Sequence, residues 1–194
     1  VLTAGTSLGA PQIGLLAAIG RARVRVRPRP RVVIFSTGSE LVDVGVEPGP
    51  AQLNESNSYT LTAAVREAGA IAYRVGIVPD DPTKLLSLIE DQLVRADLVV
   101  TSGGVSAGAY DTVKEVLSRL GTVEFAKVAM QPGMPQGFGA VGPDSTPIFT
   151  LPGNPVSAYV SFEVFVRPAI RRMLGVHPIY RPLVRATLAQ PITK

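Results

Sequence analysis

The chain has 194 residues, of which 46% are hydrophobic and 18% are charged, and its formal net charge is +4. This composition predicts one main folded domain and excludes disorder as its main state. The chain has no cysteine and a single histidine, His177. Disulfides, thiolate nucleophiles and Cys-ligated metal sites are therefore excluded, and a His-based triad is disfavoured. No apolar run reaches the roughly 18 residues of a membrane span, and no secretory signal pattern opens the sequence. We therefore expect a cytoplasmic protein that does not bind membranes.

The charge is unevenly distributed along the chain. Residues 1–31 hold six arginines and no acid, whereas residues 32–170 hold eight basic residues and all fifteen acids. An acidic centre argues against a nucleic-acid-binding domain and leaves room for a carboxylate-bound cation. The run RARVRVRPRPR alternates Arg with Val and predicts an exposed strand that leads into a linker, with RNA or lipid binding as the alternative. Pro28 and Pro30 place a domain boundary near residues 27–30.

Strands and helices alternate after this boundary. RVVIFS (31–36) is a continuous apolar run, typical of a strand buried on both faces. NSYTLTAAVREAG (57–69) predicts a helix that Asn57 caps and Gly69 ends. IAYRVGIV (71–78) predicts the next strand. DPTKLLSLIEDQLVRA (81–96) predicts a helix with Asp81 as its cap and Pro82 in its first turn.

The second half of the chain continues the alternation. DLVVTS (97–102) predicts a third buried strand, and TVKEVLSRLG (112–121) predicts a helix that Gly121 closes. VEFAKVAM (123–130) and PIFTL (147–151) predict further strands, with a rigid QPGMP turn at 131–135. Residues 154–175 predict a long helix that Pro168 kinks. From residue 176 onward the pattern predicts another strand.

This order predicts an α/β fold in which a doubly wound, mostly parallel sheet carries helices on both faces. Ligands of such sheets bind beyond the carboxyl ends of the strands. The segments that follow the strands are TGSEL, PDD, GGVSAGAYD and LPGNPVS. Each carries glycine, proline or a carboxylate, so we expect the loops to converge on one polar crevice.

Two of these loops have the features of an anion-binding site. SGGVSAG (102–108) is glycine-rich, so its backbone N–H groups can approach a phosphate closely, and its serines add hydroxyl donors; a plain tight turn is the alternative. The candidate residues there are Ser102, Gly103, Gly104 and Ser106. LPGNPVS (151–157) opens a helix at Asn154, where ordinary capping and ligand binding are compatible. The candidate residues there are Pro152, Asn154, Pro155 and Ser157.

Charged side chains also fall at the predicted strand ends. Four carboxylates stand there, Glu40, Asp80, Asp81 and Asp111. Mg²⁺ takes one or two carboxylates together with substrate phosphates and water, so a cation bridging a phosphoanhydride is a natural interpretation. Helix capping is the alternative for Asp81 and Asp111, and a place in the first turn of a short helix is the alternative for Glu40. This leaves Asp80 as the better ligand candidate. Lys127 either extends into solvent or neutralises substrate charge.

Taken in order, STGSELV, DDP, TSGGVSAGAYD, FAKVAMQPGMP and LPGNPVSAYVSFEVFVRP resemble the molybdopterin molybdenumtransferase family, to which the gephyrin E domain belongs. The resemblance spans roughly residues 5–175. It implies a three-layer α/β/α molybdopterin-binding domain. It also implies that adenylylated molybdopterin and molybdate are substrates, and that Mg²⁺-dependent hydrolysis releases AMP as molybdenum is inserted.

The resemblance carries over to single residues of this chain. Glu40, Asp80 and Asp111 match the acidic cluster for Mg²⁺ and molybdate, and Lys127 matches a basic residue facing the substrate; these four are the candidate catalytic residues. Gly103, Gly104 and Ser106 match the loop for the pterin phosphate. Pro152, Asn154 and Pro155 match the LPGNP wall. Three positions depart from the family: Ser39 replaces a frequent Asp, and Gln131 and Met134 replace lysines.

The resemblance also implies the surroundings of this domain. Residues 1–28 are similar to the tail of an N-terminal region, residues 29–176 to the molybdopterin-binding domain and residues 177–194 to the start of a C-terminal β-barrel. A homodimer is expected, and an upstream adenylyltransferase is a further expected partner. The final helix carries the apolar residues Tyr159, Phe162, Phe165 and Val166; either Tyr159 or Phe162 is left for the partner surface, or all four pack against the sheet. The alternatives are a molybdopterin adenylyltransferase of the same fold and a non-enzymatic oligomeric scaffold.

Overall fold

The structure, a computed structural model, describes residues 2–104 and 110–191, and for residues 110 and 111 the backbone only. Six strands form the main sheet and two short strands form a separate parallel pair. In chain order the strands are β1 (Arg31–Thr37), β2 (Leu41–Val42), β3 (Leu53–Asn54), β4 (Ile71–Val78), β5 (Leu98–Ser102), β6 (Gly121–Lys127), β7 (Pro135–Val141) and β8 (Thr146–Leu151).

The main sheet has the order β4-β1-β5-β8-β7-β6. β4, β1, β5 and β8 are parallel neighbours, as the alternation of strands and helices predicted. β7 runs antiparallel to both β8 and β6. The sequence did not predict β7, because its glycines Gly137 and Gly139 lower its strand propensity. These glycines are required for close packing: a β-carbon at Gly139 would lie 1.9 Å from the Thr122 carbonyl oxygen.

Helices cover both faces of the sheet, which confirms the predicted three-layer α/β/α architecture. The helices are α1 (Ala10–Ala18), α2 (Asn57–Glu67), α3 (Pro82–Leu93), α4 (Tyr110–Leu120), α5 (Pro155–Ser161) and α6 (Arg167–Leu174). On one face, Val32 and Ile34 of β1 pack with residues of α2 and α6. On the other face, Val33 and Phe35 pack with residues of α3 and α4. Because β1 is central, its side chains are buried on both sides, as its continuous apolar run predicted.

The predicted helix 154–175 is continuous but not uniform. A π-helical turn, Phe162–Val166, joins α5 to α6. Pro168 follows this turn and has no backbone N–H to donate to the carbonyl of Val164, so a wider turn there relieves the conflict. Gly175 ends α6 in the left-handed conformation.

Two predicted strands are wrong. Residues 21–30 and 176–191 form no strand. The segment before the first of these regions forms α1, which has no buried residue. The alternation of Arg and Val is a strand pattern, but a strand requires a neighbour to pair its backbone groups. Arg29 instead donates to the carbonyl oxygens of Gly69 and Ala70, at 2.8 and 3.0 Å, where α2 ends.

Candidate functional site at the carboxyl ends of the strands

The loops that follow β1, β5 and β8 lie side by side and contact one another through their backbones. Gly103 and Gly104 adopt φ values of +86° and +68°. A β-carbon at Gly103 would lie 2.3 Å from the Thr37 carbonyl oxygen, and one at Gly153 would lie 3.5 Å from the Gly103 Cα. The Thr37 hydroxyl is buried, has no hydrogen-bond partner and would be 2.9 Å from a β-carbon at Gly104. The predicted glycine loop therefore packs tightly against the end of β1.

A buried carboxylate that the sequence analysis did not select lies beneath these loops. Glu55 is 1% exposed. Its Oε1 accepts hydrogen bonds from Ser36 Oγ at 2.8 Å and from the Ser58 backbone N–H at 2.6 Å, and its Oε2 accepts one from Ser58 Oγ at 2.5 Å. A usable signal was present, since Ser36, one residue before the end of β1, and Ser102, the last residue of β5, pair in register. Two aligned buried hydroxyls require a polar partner.

Ser102 is one of those two serines. It is 1% exposed, and its hydroxyl is 2.8 Å from Ser36 Oγ. The sequence analysis proposed this hydroxyl as a donor to substrate. In the structure it faces the interior, because the Ser36–Glu55 pair lies on that side of the sheet. Ser102 therefore connects the start of the glycine loop to the buried Ser36–Glu55 pair.

The start of α2 differs from the prediction in the same region. Asn57 is the first residue of the helix rather than its cap. Its side-chain Nδ2 donates to the Gly153 carbonyl oxygen at 2.7 Å, and the Glu55 carboxylate accepts from the first turn instead. Residues 55–58 therefore tie together the ends of β1, β5 and β8.

Arg74 links this buried segment to the surface. Its guanidinium donates to Ser58 Oγ at 3.1 Å and lies 3.9 Å from Glu55 Oε2. It also lies over the Tyr59 ring, 3.9 Å from the centroid, and donates to the Tyr59 hydroxyl. Tyr59 in turn donates to Asp43 at 2.9 Å, and this hydrogen bond lowers the pKa of Asp43 and raises that of Tyr59. The network fixes β4 and α2 beside the loops.

The structure places Asp80 and Glu40 around one turn. Asp80 Oδ2 accepts from the backbone N–H and the hydroxyl of Ser39, at 3.1 and 3.2 Å, while Asp80 Oδ1 is buried without a hydrogen-bond partner. The Glu40 carboxylate folds over Gly38, 2.7 Å from where a β-carbon there would lie. Ser39 thus donates two hydrogen bonds to Asp80.

Two acidic candidates remain, Asp81 and Asp111. Asp81 caps α3, accepting from the N–H groups of Thr83 and Lys84 at 2.9 and 3.0 Å, which confirms the capping interpretation. Ser106 and the side chain of Asp111 lie outside the described residues. Within residues 2–104 and 110–191, apart from such side chains, no group of three or more His, Cys, Asp or Glu is close enough to bind a metal. Among the described acidic candidates, Asp80 is the one with a buried carboxylate oxygen that has no hydrogen-bond partner.

The LPGNPVS loop forms as the sequence predicted. Asn154 caps α5 by accepting from the Ser157 N–H at 3.2 Å, and Pro155 is the first helical residue. Pro152 is buried, and Asn154 and Pro155 are exposed beside the glycine loop. Ser157 is 8% exposed and its hydroxyl lies 3.4 Å from Asn154 Oδ1, which leaves Asn154 as the residue better placed for a ligand.

Lys127 lies apart from these loops. It ends the edge strand β6, three strands from β5 and five from β4, which at about 4.8 Å per strand is about 14 and 24 Å. It borders a cleft of about 490 Å³ that Gln131 and Met134 also line. Contact with both Lys127 and Asp80 therefore requires an extended ligand.

A larger cleft of about 650 Å³ lies beside β6, β7 and the π-helical turn, and none of the candidate site residues lines it. Its walls are mostly apolar and include Phe138, Phe149, Val164 and Phe165.

In the part of the chain that the structure describes, no helix is long and apolar enough to cross a bilayer.

Comparison with known proteins decides the family. Residues 33–172 match the family model described as "Probable molybdopterin binding domain". The chain belongs to this family. The match covers all but the first two residues of β1 and the last two of α6, and it includes every loop of the candidate site, so the resemblance inferred from five short motifs is confirmed.

Curated relatives of this molybdopterin-binding domain are close. The chain is 53% identical, over 98% of its length, to molybdopterin molybdenumtransferase 1 of Mycobacterium tuberculosis, and 42% identical, over 94%, to the molybdopterin molybdenumtransferase of a Nostoc species. It spans only 45% and 42% of those relatives. Among solved structures, a molybdopterin biosynthesis moeA protein from Pyrococcus horikoshii matches with a TM-score of 0.74 at 37% identity, covering 88% of this chain and 42% of that one.

Proposed function

We propose that the protein containing this chain is a molybdopterin molybdenumtransferase, with adenylylated molybdopterin and molybdate as substrates and AMP as a product. The observation that carries the proposal is the 53% identity to a relative of that name across the whole candidate site. An adenylyltransferase is then the upstream partner that supplies the substrate.

The geometry of the loops supports this assignment. Gly103 and Gly104 adopt the left-handed backbone conformation directly after β5, and glycines in such conformations are typical of loops whose N–H groups bind anions. Asn154 is exposed and follows Gly153, whose backbone lies against Gly103. These features fit the phosphate-bearing parts of an adenylylated pterin better than they fit a neutral ligand.

The residues present also fit a magnesium ion. Mg²⁺ is bound through one or two carboxylates plus waters and substrate phosphates, and Asp80 offers a buried oxygen that lacks any other partner. Asp80 and Glu40 would hold the ion, with Asp111 as the further candidate. When bound, Mg²⁺ would offset the charge of the phosphoanhydride oxygens. Ser39 fixes the orientation of Asp80 through its two hydrogen bonds.

The test is a turnover assay on the full-length protein with adenylylated molybdopterin, molybdate and Mg²⁺. We expect AMP release that requires both Mg²⁺ and molybdate. Adenylylation of molybdopterin from ATP would instead favour the adenylyltransferase alternative. Failure of both reactions with correctly folded protein would favour the non-enzymatic scaffold.

We also propose that the protein forms a homodimer. Phe162 and Val166 are fully buried against the sheet, whereas Tyr159 is 41% exposed, so Tyr159 rather than Phe162 is the side chain left for a partner surface. Val156 and Val164 on the same helical segment are 63% and 45% exposed. Sedimentation at micromolar concentration is expected to give twice the monomer mass, which for this chain is 20.4 kDa. A monomer for both the chain and the full-length protein would contradict the proposal.

A further inference from the structure

Glu55 is a buried carboxylate to which the proposed reaction assigns no role. Three donors contact it, from Ser36 and Ser58, and the Arg74 guanidinium lies 3.9 Å away. A buried charge costs more free energy than an apolar side chain of similar size unless it is fully hydrogen-bonded. The role of Glu55 must therefore lie in the hydrogen bonds that its carboxylate accepts and not in the space that the side chain fills.

The hydrogen bonds around Glu55 have a fixed direction. Ser36 has one hydroxyl hydrogen and donates it to Glu55 Oε1. The 2.8 Å bond between Ser36 and Ser102 must then use the hydrogen of Ser102. Donation runs from Ser102 through Ser36 to the carboxylate, and this order holds the Ser102 side chain in a single orientation.

We propose that Glu55 is a positioning residue of the site, which through Ser36 and Ser102 holds the glycine loop in the geometry that receives substrate. Ser102 is the last residue of β5, and Gly103 follows it directly, with its N–H donating to the Leu151 carbonyl oxygen at 3.1 Å. Two residues after Glu55, Asn57 holds the neighbouring loop at Gly153. The inference rests on the proposed function for its link to catalysis.

Three variants separate this role from a general effect on folding. Ser36→Ala breaks the connection to Ser102 and leaves the contacts between Glu55 and Ser58 in place. Glu55→Gln is the conservative rescue, because its amide oxygen can still accept from Ser36 and the Ser58 N–H while its NH₂ donates to Ser58 Oγ. Tyr59→Phe is the control, since it removes the outer contacts to Asp43 and Arg74 only.

The first measurement is hydrogen exchange, which needs no substrate. In Ser36→Ala we expect the Gly103 amide to exchange about tenfold faster relative to the Val33 amide in central β1, as the loss of one buried hydrogen bond implies. Glu55→Gln and Tyr59→Phe are expected to keep the wild-type ratio. The proposal is overturned if the ratio of Gly103 to Val33 exchange rates is unchanged in Ser36→Ala, including the case in which both amides exchange faster by the same factor. It is also overturned if Glu55→Gln raises this ratio as much as Ser36→Ala does.

The second measurement is turnover by the full-length protein. Ser36→Ala is expected to lower kcat/KM about tenfold, because a small displacement of a substrate-binding loop moves the substrate out of the reactive geometry. Glu55→Gln and Tyr59→Phe are expected to lower kcat/KM much less. If the wild-type protein releases AMP and Ser36→Ala has the same kcat/KM as wild type, the proposed effect of Ser36 on catalysis is overturned. Absence of AMP release from wild type would count against the proposed function, while hydrogen exchange still decides whether Glu55 positions the loop.

Discussion

Gly103→Ala is expected to lower the free energy of unfolding by about 3 kcal/mol and to abolish substrate binding. A left-handed conformation costs a residue with a β-carbon about 1–2 kcal/mol, and steric overlap in a packed region adds about 1–3 kcal/mol. The new methyl would lie 2.3 Å from the Thr37 carbonyl oxygen. That oxygen belongs to the last residue of buried β1 and cannot move without distorting the sheet.

Two other glycines provide matched controls for urea or thermal unfolding. Gly45 has φ +95° with nothing within 4 Å of a β-carbon, so Gly45→Ala isolates the conformational cost, about 1 kcal/mol. Gly153 lacks a positive φ, and its nearest neighbour would be 3.5 Å away, so Gly153→Ala should change stability by less than about 0.5 kcal/mol. If Gly103→Ala cost no more than Gly45→Ala, the close contact with Thr37 would not constrain the loop.

Asp80→Asn is expected to reduce Mg²⁺-dependent AMP release at least about 100-fold, the usual cost of removing a group that stabilises transition-state charge. The fold should remain intact, since the asparagine oxygen can still accept the two hydrogen bonds from Ser39. What is lost is the negative charge together with the buried oxygen that has no other partner, because an NH₂ group takes its place and cannot bind a cation. The measurement is the dependence of turnover on Mg²⁺ concentration in the full-length protein.

Asp81→Asn is the matched control for this prediction. Asp81 is the adjacent carboxylate, but its oxygen is used to cap α3, and asparagine caps helices nearly as well. We therefore expect its turnover to stay close to wild type. Normal turnover by Asp80→Asn at limiting Mg²⁺ would remove Asp80 from the metal site, and equal losses in the two variants would point to a general effect of charge in this loop.

Several parts of the fold could be predicted because their signals are local. Apolar runs identified β1, β5 and β8, and Asp81 and Asn154 were correctly interpreted as caps, because a cap depends on residues within one turn. The requirement for glycine at Gly103 and Gly104 could be predicted as well, since a turn directly after a buried strand forces unusual backbone angles. The order of five short motifs was enough to indicate the family.

The sequence by itself determined the strands β1, β4, β5 and β8, the helices between them and the loops that follow those strands, because hydrophobic period, caps and glycines act over a few residues. It did not determine β7 or the paths of residues 21–30 and 176–191, because those depend on whether a neighbouring strand is present. The tertiary structure alone decided which of those loops meet. The strand order β4-β1-β5-β8-β7-β6 joins the ends of β1, β5 and β8 and puts Lys127 on a distant edge. It also buries Glu55 against Ser36, 19 residues earlier in the chain, and brings Ser102, 66 residues from Ser36, to the same network. A carboxylate gains such partners only through packing between distant segments, and no local pattern encodes that packing.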